Sequence, residues 1–436
     1  MRARGQFDTL PRVTGDPPTD PPRLGDPLAR LASSAPLAYL VVAVLALGYR
    51  LATFEGAPLK GFDANLYSLF AKTLAEEGIP GIRLLTERAA TDETLGKGPL
   101  PLRIGYVAAA ALTGKLLGGF ELQNLAWLSF ASGIAGVLLG FALLRAFLGP
   151  RWSLLGALLL ITSPLATALA RAALQDAFFA MLTTGCVLAF HAAWIRPKPL
   201  ALALLGASLA AALLTKETAA VLYLVFLALG LALRREAPCP PRLWIPLLAA
   251  PLVALLSLLG VTGSLSSLTA TYAAYYERQG LIEYARIHQQ GPWFRYLADL
   301  LLVAPVAFLL AAFGLAASPA DASARRGRIL CALFALPALA ALSALPVLNV
   351  RFVLPLDVPL RGLAALGIAA ISEQIHTKNT KNPRWRTAAL AAVALLALAA
   401  DARQFARIFG EAKVYDPVTQ ALIRSQGFYN PPQPPK

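Results

Sequence analysis

A handful of isolated acids and bases stand at the ends of long apolar runs in this chain, and they are the residues with chemistry to offer. Asp63 opens an amphipathic stretch in Gly61-Phe62-Asp63-Ala64-Asn65-Leu66-Tyr67. Taken alone it reads as a helix N-cap, a role compatible with a general base that faces a membrane-embedded substrate. Lys97, in Gly96-Lys97-Gly98-Pro99-Leu100, reads alone as a lysine snorkelling to an interface; beside a helix lying on a membrane it could hold a phosphate. Asp176 closes Arg171-Ala172-Ala173-Leu174-Gln175-Asp176 just inside an apolar run. A carboxylate at a bilayer centre costs roughly 3 kcal/mol, so an acid there points to function; the rival is a local pair with Arg171. Lys216 and Glu217 interrupt a long apolar stretch, where they either pair with each other or serve a site. Arg351 stands at the mouth of a later run in Asn349-Val350-Arg351-Phe352, and its fork suits bidentate phosphate binding. Asp357 and Arg361, four residues apart, read as an ion pair on one helix face.

The elements that must position these residues are membrane spans. Of the 436 residues 57% are hydrophobic and 14% charged, against roughly a quarter charged in soluble domains. Apolar spans read at about 35–52, 122–144, 152–170, 173–195, 199–214, 217–233, 243–262, 297–317, 329–348, 352–371 and 387–402. The expectation is an all-α polytopic membrane protein of about 11 transmembrane helices. Thr215-Lys216-Glu217-Thr218 splits 199–233, because a charge pair belongs at an interface. The net charge of +15 sits in short loops between spans, so anionic lipid headgroups are the expected partner and nucleic acid is not.

Orientation turns on 104–118, IGYVAAAALTGKLLG, short, glycine-interrupted and bounded by Arg103 and Lys115. If it does not cross, five basic loops become cytoplasmic, carrying Arg145/Arg151, Arg196/Lys198, Arg234/Arg235/Arg242, Arg325/Arg326/Arg328 and Lys378/Lys381/Arg384/Arg386, as short cytoplasmic loops require. It is therefore expected at the outer interface. Residues 1–34 then form a disordered cytoplasmic tail, 35–402 the transmembrane domain and 403–436 a short outer tail. Loops 53–121 and 263–296 lie outside. The first carries a helix over 63–77 with Leu66, Leu69, Phe70 and Leu74 on one face, resting on the membrane and capped by Gly78. The second carries Tyr272, Tyr275, Tyr276, Tyr284, Trp293, Phe294 and Tyr296, as an interfacial aromatic belt or a lid. Cys186, Cys239 and Cys331 form no disulfide or zinc pattern. Metalloprotease and serine-hydrolase motifs are absent from the sequence.

The order of these motifs resembles the GT-C class of membrane glycosyltransferases, above all protein O-mannosyltransferases and the aminoarabinose transferases that modify lipid A. The likeness lies in Asp63 with Tyr67, in Lys97-Gly98-Pro99-Leu100 and in Arg171 through Asp176. It continues in Thr215-Lys216-Glu217 and in Arg351-Phe352-Val353-Leu354-Pro355. Ala64 stands where a second acid often follows the first, and Gly98 where the lysine motif has proline. The resemblance implies a GT-C-like fold that moves a sugar from a polyprenyl-phosphate donor to a lipid, glycan or protein hydroxyl, with inversion. The implied setting is the outer face of a bacterial cytoplasmic (inner) membrane. It further implies Asp63 and Asp176 as catalytic residues, with Tyr67, Lys97, Lys216, Glu217 and Arg351 as substrate-binding. No cofactor is certain, and a divalent metal is one option, weakened in the first loop by Ala64. The rival readings are a transporter or flippase for a lipid-linked sugar, which should show repeats and broken spans, and a non-catalytic assembly subunit.

Overall fold

Seven helices among the described residues are long and apolar enough to cross a bilayer, and they set the architecture. The computed structural model describes residues 34–55, 61–89, 91–232, 240–282, 285, 289–319, 321–377 and 383–411. Residues 1–33, Arg234, Arg235, Cys239, Tyr284, Lys378, Lys381 and 412–436 lie outside them. In chain order the helices are α1 (Ala35–Thr53), α2 (Phe62–Ala89), α3 (Ile104–Leu117), α4 (Leu122–Phe147), α5 (Pro150–Ile161), α6 (Pro164–Leu169), α7 (Asp176–Ile195) and α8 (Pro199–Leu213). There follow α9 (Ala219–Ala232), α10 (Trp244–Thr262), α11 (Leu265–Leu281), α12 (Arg295–Val303), α13 (Pro305–Ala316), α14 (Ala322–Ser343), α15 (Asp357–Thr377) and α16 (Pro383–Gln404). A 3-10 segment, Val350–Leu356, leads into α15, and a π-helical turn, Phe405–Glu411, extends α16. The protein is a multi-pass, all-helical membrane protein.

Its outer wall shows why a bilayer is the solvent. Leu40, Leu200, Leu224, Leu248, Leu309 and Leu395 are all exposed, a ring of apolar side chains that water would penalise. Inside, Phe190 and Phe226 pack with ring centroids 5.7 Å apart, and Phe226 and Phe334 at 5.3 Å. Helices α13 and α15 cross with their backbones touching. A Cβ on Gly314 would overlap the Leu363 carbonyl, and one on Gly367 the Leu310 carbonyl. Small residues at such a crossing let two membrane helices approach closely.

The ends of the bundle are distinct. Ser323 Oγ donates to the Ala146 carbonyl at 3.4 Å, Gly327 abuts Phe147, and His191 meets the Phe147 ring at 6.4 Å. The basic loops after α4 and before α14 therefore share the end where α7 finishes. Asp176, at the start of α7, lies at the other end with the other candidate residues. Helix α3 belongs wholly to that second end. Arg103, just before it, binds Tyr67, and Phe120, just after it, accepts from Ser68, the next residue on α2. At 14 residues, or about 21 Å, α3 is too short for a hydrocarbon core of about 30 Å.

Several elements depart from the sequence expectation. The run 152–170 is two helices, α5 and α6, broken at Thr162 and Ser163, where the Ser163 hydroxyl caps α6 by accepting from the Ala166 amide. The run 297–317 is no straight span: α12 and α13 meet at 118° at Ala304, because Pro305 starts a new helix where it has no amide to donate. With α8 and α9 only 15 and 14 residues long, seven helices, or eight counting the bent pair, meet the length and composition of a span, against the eleven expected. Gly78, at φ +68°, divides α2 into two helical halves, a backbone state glycine adopts at no steric cost. Only Leu69 of the α2 stripe stands exposed; Leu66 and Phe70 turn into the protein core, a correction to the helix drawn as resting on the membrane by that face.

Candidate active site

Four chain segments distant in sequence converge at the end opposite the basic loops. The first turn of α2 brings Asp63, the start of α7 brings Asp176, the α8–α9 turn brings Lys216, and the 3-10 segment brings Arg351. Lys216 Nζ donates to Asp176 Oδ1 at 2.5 Å, with both side chains almost fully buried. Arg351 Nη1 lies 3.5 Å from Asp63 Oδ2 and 3.8 Å from Asp176 Oδ2. One guanidinium thus stands between two carboxylates, one of which is also held by a lysine. The Lys216 ammonium further lies over the Phe352 ring, 4.7 Å from its centroid, and 5.6 Å from that of Phe179, an aromatic seat that favours a cation. Both local pairings considered from the sequence are overturned. Arg171 turns away from Asp176 to Glu55 at 3.2 Å and to the Thr53 and Phe409 carbonyls. Lys216 and Glu217 point at different partners. The Asp357–Arg361 pair is present at 3.3 Å, with Asp401 as a further partner of Arg361.

Behind this group runs a second layer built on Arg103. Its Nε donates to both Glu217 oxygens at 2.9 and 3.0 Å, and its Nη2 to Oε2 at 2.6 Å. Nη1 donates to Tyr67 Oη at 2.6 Å and Nη2 to Tyr275 Oη at 3.3 Å. The Gln175 amide, oriented as its neighbours require, accepts from Arg103 Nη1 and donates to the Thr215 carbonyl, each at 2.8 Å. Glu217 is therefore engaged by a bidentate arginine, the strongest geometry for such a pair. Burial alone would raise its pKa, but the Arg103 guanidinium outweighs burial and holds it below the ordinary glutamate value. Burial would likewise lower Arg103, and the Glu217 carboxylate lifts it well above the usual value instead. For Lys216, burial pulls the pKa below that of a free lysine against the opposing pull of Asp176. Tyr67, fully buried, is raised well above an ordinary phenol.

Lys97 occupies the loop before α3 with its side chain exposed. Its position is fixed by Gly98, which packs so tightly on Leu66 and Phe62 that a Cβ there would overlap Leu66. That contact explains the glycine at this point of the lysine motif and sets Lys97 beside the N-terminus of α2. Arg278 of α11 holds the preceding turn by donating to the Ala89 carbonyl at 2.5 Å. Of the aromatic residues in 263–296, Tyr275 reaches the Arg103 layer, Tyr296 is buried, and Trp293 and Phe294 are exposed.

Sequence reasoning had no role for Arg103, Gln175 or Phe352. Arg103 looked like the border of an apolar helix, and Gln175 is one residue of a motif read for its aspartate. As for a metal, no three His, Cys, Asp or Glu side chains gather as a ligand set among the described residues. Asp63 and Asp176 already face Arg351 and Lys216, so a divalent ion between them would have to displace a guanidinium. The described residues do not fit one.

Residues 101–262 match the family model described as dolichyl-phosphate-mannose-protein mannosyltransferase. That stretch holds Arg103, Asp176, Lys216 and Glu217, and leaves Asp63, Lys97 and Arg351 outside. The structure superposes on the archaeal oligosaccharyltransferase AglB from Archaeoglobus fulgidus, solved with an inhibitory peptide and a dolichol-phosphate, over 86% of this chain, with TM-score 0.57 and 13% identity. It superposes on apo ArnT from Cupriavidus metallidurans over 78%, with TM-score 0.51 and 18% identity. The fold is that of the GT-C glycosyltransferases. A second ArnT structure, bound to undecaprenyl phosphate, matches over 91% of this chain and 81% of its own, with TM-score 0.51 and 16% identity. The chain spans 55% of the AglB chain and 61% of the apo ArnT chain. No curated protein matches the chain in sequence.

Proposed function

We propose that this protein transfers a sugar from a polyprenyl-phosphate donor to an acceptor hydroxyl at the outer face of a bacterial cytoplasmic membrane, with inversion at the anomeric carbon. The observation that carries this reading is Arg351 suspended between Asp63 and Asp176, with Lys216 on the far oxygen of Asp176. At 3.5 and 3.8 Å the Arg351 contacts are longer than the 2.7–2.9 Å of tight charge-assisted hydrogen bonds. An arriving phosphate can therefore compete with these two carboxylates for the guanidinium.

In this scheme Asp63, about a third exposed and so open to an acceptor, takes the hydroxyl proton. The new bond from acceptor oxygen to anomeric carbon forms as the carbon–phosphate-oxygen bond breaks on the opposite face, and polyprenyl phosphate leaves carrying the electron pair. Positive charge grows on the sugar ring and negative charge on the phosphate. Arg351, with Lys97 at the rim, meets the phosphate charge, and fixed charges aimed where charge develops are a large source of rate. Asp176, anchored by Lys216, orients the sugar or acceptor. Glu217 and Tyr67, read from the sequence as substrate-binding, act instead through Arg103, which holds the turn that delivers Lys216. The dolichol-phosphate and undecaprenyl phosphate in the AglB and ArnT titles support a lipid-phosphate donor. The transporter alternative draws no support from these matches.

The test is mass spectrometry of envelope glycans and glycolipids from cells with and without the gene, followed by reconstitution with the implicated polyprenyl-phosphate sugar. A glycan lost with the gene and rebuilt in vitro supports the proposal. Movement of the lipid-linked sugar across proteoliposomes with no transferred product would overturn it.

A further inference from the structure

The Arg351 guanidinium is held in position by a two-residue strut that neither the sequence motifs nor the charge pairs reveal. Asn349 is almost fully buried and caps the 3-10 segment: its Oδ1 accepts from the Arg351 amide at 3.0 Å and from Arg351 Nε at 3.3 Å. One oxygen thus fixes both the backbone turn and the root of the guanidinium, leaving Nη1 aimed at Asp63 and Asp176. The Asn349 backbone N–H in turn donates to Tyr296 Oη at 3.0 Å, and Tyr296 has no exposed surface. Tyr296 sits in the first turn of α12, the short helix folded back at 118° on α13. A further tie lies alongside, where the Leu348 amide donates to the Gln289 carbonyl at 2.6 Å.

We propose that Asn349 and Tyr296 are positioning residues for Arg351, and that the elbow between α12 and α13 exists to hold this strut against the site. A long arginine loses considerable rotamer freedom when it is fixed, and the contacts of Arg351 to Asp63 and Asp176 are long, at 3.5 and 3.8 Å. An acceptor on its Nε sets the plane of the fork and with it the direction of Nη1. The elbow then has a reason: a straight helix through 297–317 would carry Tyr296 along the span axis, away from the 3-10 segment.

The inference rests on the proposed transferase reading, and its test separates the two. In wild-type background, Asn349→Ala should lower turnover about 100-fold, the usual cost of misplacing a catalytic group by roughly 1 Å. Asn349→Asp, which keeps the acceptor oxygen, should retain most of it, and Tyr296→Phe should give a smaller loss. In an Arg351→Ala background, Asn349→Ala should cost little more, because only its cap on the residue-351 amide is then left to lose. Equal losses for the alanine and aspartate variants, or a full additional loss in the Arg351→Ala background, would overturn the strut. A cryo-EM map of Asn349→Ala gives a readout independent of activity: a guanidinium still lying between Asp63 and Asp176 overturns the proposal even if wild type transfers no sugar, and a displaced one supports it.

Discussion

Lys216→Met is the most discriminating single change outside the strut, because the structure says what it leaves behind. The substitution keeps most of the side-chain volume and removes the ammonium that lies 2.5 Å from Asp176, where both side chains are only 3% exposed. Removing one member of a buried ion pair costs about 3–5 kcal/mol, chiefly because the remaining charge is uncompensated. Arg351, 3.8 Å away on the other Asp176 oxygen, can recover part of this: at an effective dielectric of about 20, opposite unit charges at that separation attract by roughly 4 kcal/mol. Since Arg351 already contributes in the wild type, closing the gap recovers only a fraction, and a net loss of about 2–3 kcal/mol is expected. The double variant Lys216→Met/Asp176→Asn removes the orphaned charge and should regain most of that stability while staying inactive. Thermal unfolding in detergent at pH 7 ranks the variants, and transfer from a lipid-phosphate sugar reads the function. A double variant no more stable than Lys216→Met would refute the reasoning, since the destabilisation would then come from lost packing against Phe179 and Phe352. A Lys216→Met protein as stable as wild type would refute it as well.

Three further outcomes are expected. The Arg103–Glu217 clamp depresses the Glu217 pKa, so its stability contribution is complete above the ordinary glutamate value of 4.5 and is lost only as pH falls through the lower folded-state value. The stability gap between wild type and Glu217→Gln, read by thermal unfolding across pH 3–8, should be flat from neutral pH down to about 4.5 and close below it; a gap that closes at higher pH contradicts the pairing. Gly314→Ala forces a Cβ into the Leu363 carbonyl and should cost about 1–3 kcal/mol or more. The control Gly48→Ala, with no heavy atom within 4 Å of the added carbon, should be neutral or slightly stabilising; equal melting temperatures for the two would remove the close helix crossing. Single cysteines at the exposed positions Lys97 and Arg151, in a background lacking native cysteines, should label from opposite sides of the membrane with an impermeant maleimide, Lys97 from outside; labelling from one side contradicts the proposed topology.

What the sequence revealed follows a physical line. Asp63, Asp176, Lys216 and Arg351 were legible because a charge at the edge of an apolar run is costly, and so each stands out against its surroundings. Gly78 was legible because the chain turns within one residue there. The short helix 104–117 was placed by charge bookkeeping across the loops, and the structure bears out its confinement to one end of the bundle. Arg103 was not legible: its partner Glu217 lies 114 positions away, and nothing local to an arginine at a helix mouth records so distant a carboxylate. The bend between α12 and α13 was missed for a related reason. Hydropathy averages over 297–317 and overlooks Pro305, while the Arg295–Asp299 pair, 3.7 Å apart, marks the first half as more polar than a span.

The measurement that bears most directly on the account is transfer by purified Asp63→Asn in nanodiscs supplied with the polyprenyl-phosphate sugar and acceptor that wild type uses. The account predicts a correctly inserted protein that still binds the donor and whose turnover falls by about 10²- to 10⁴-fold, the usual contribution of a general base. Turnover close to wild type would contradict it.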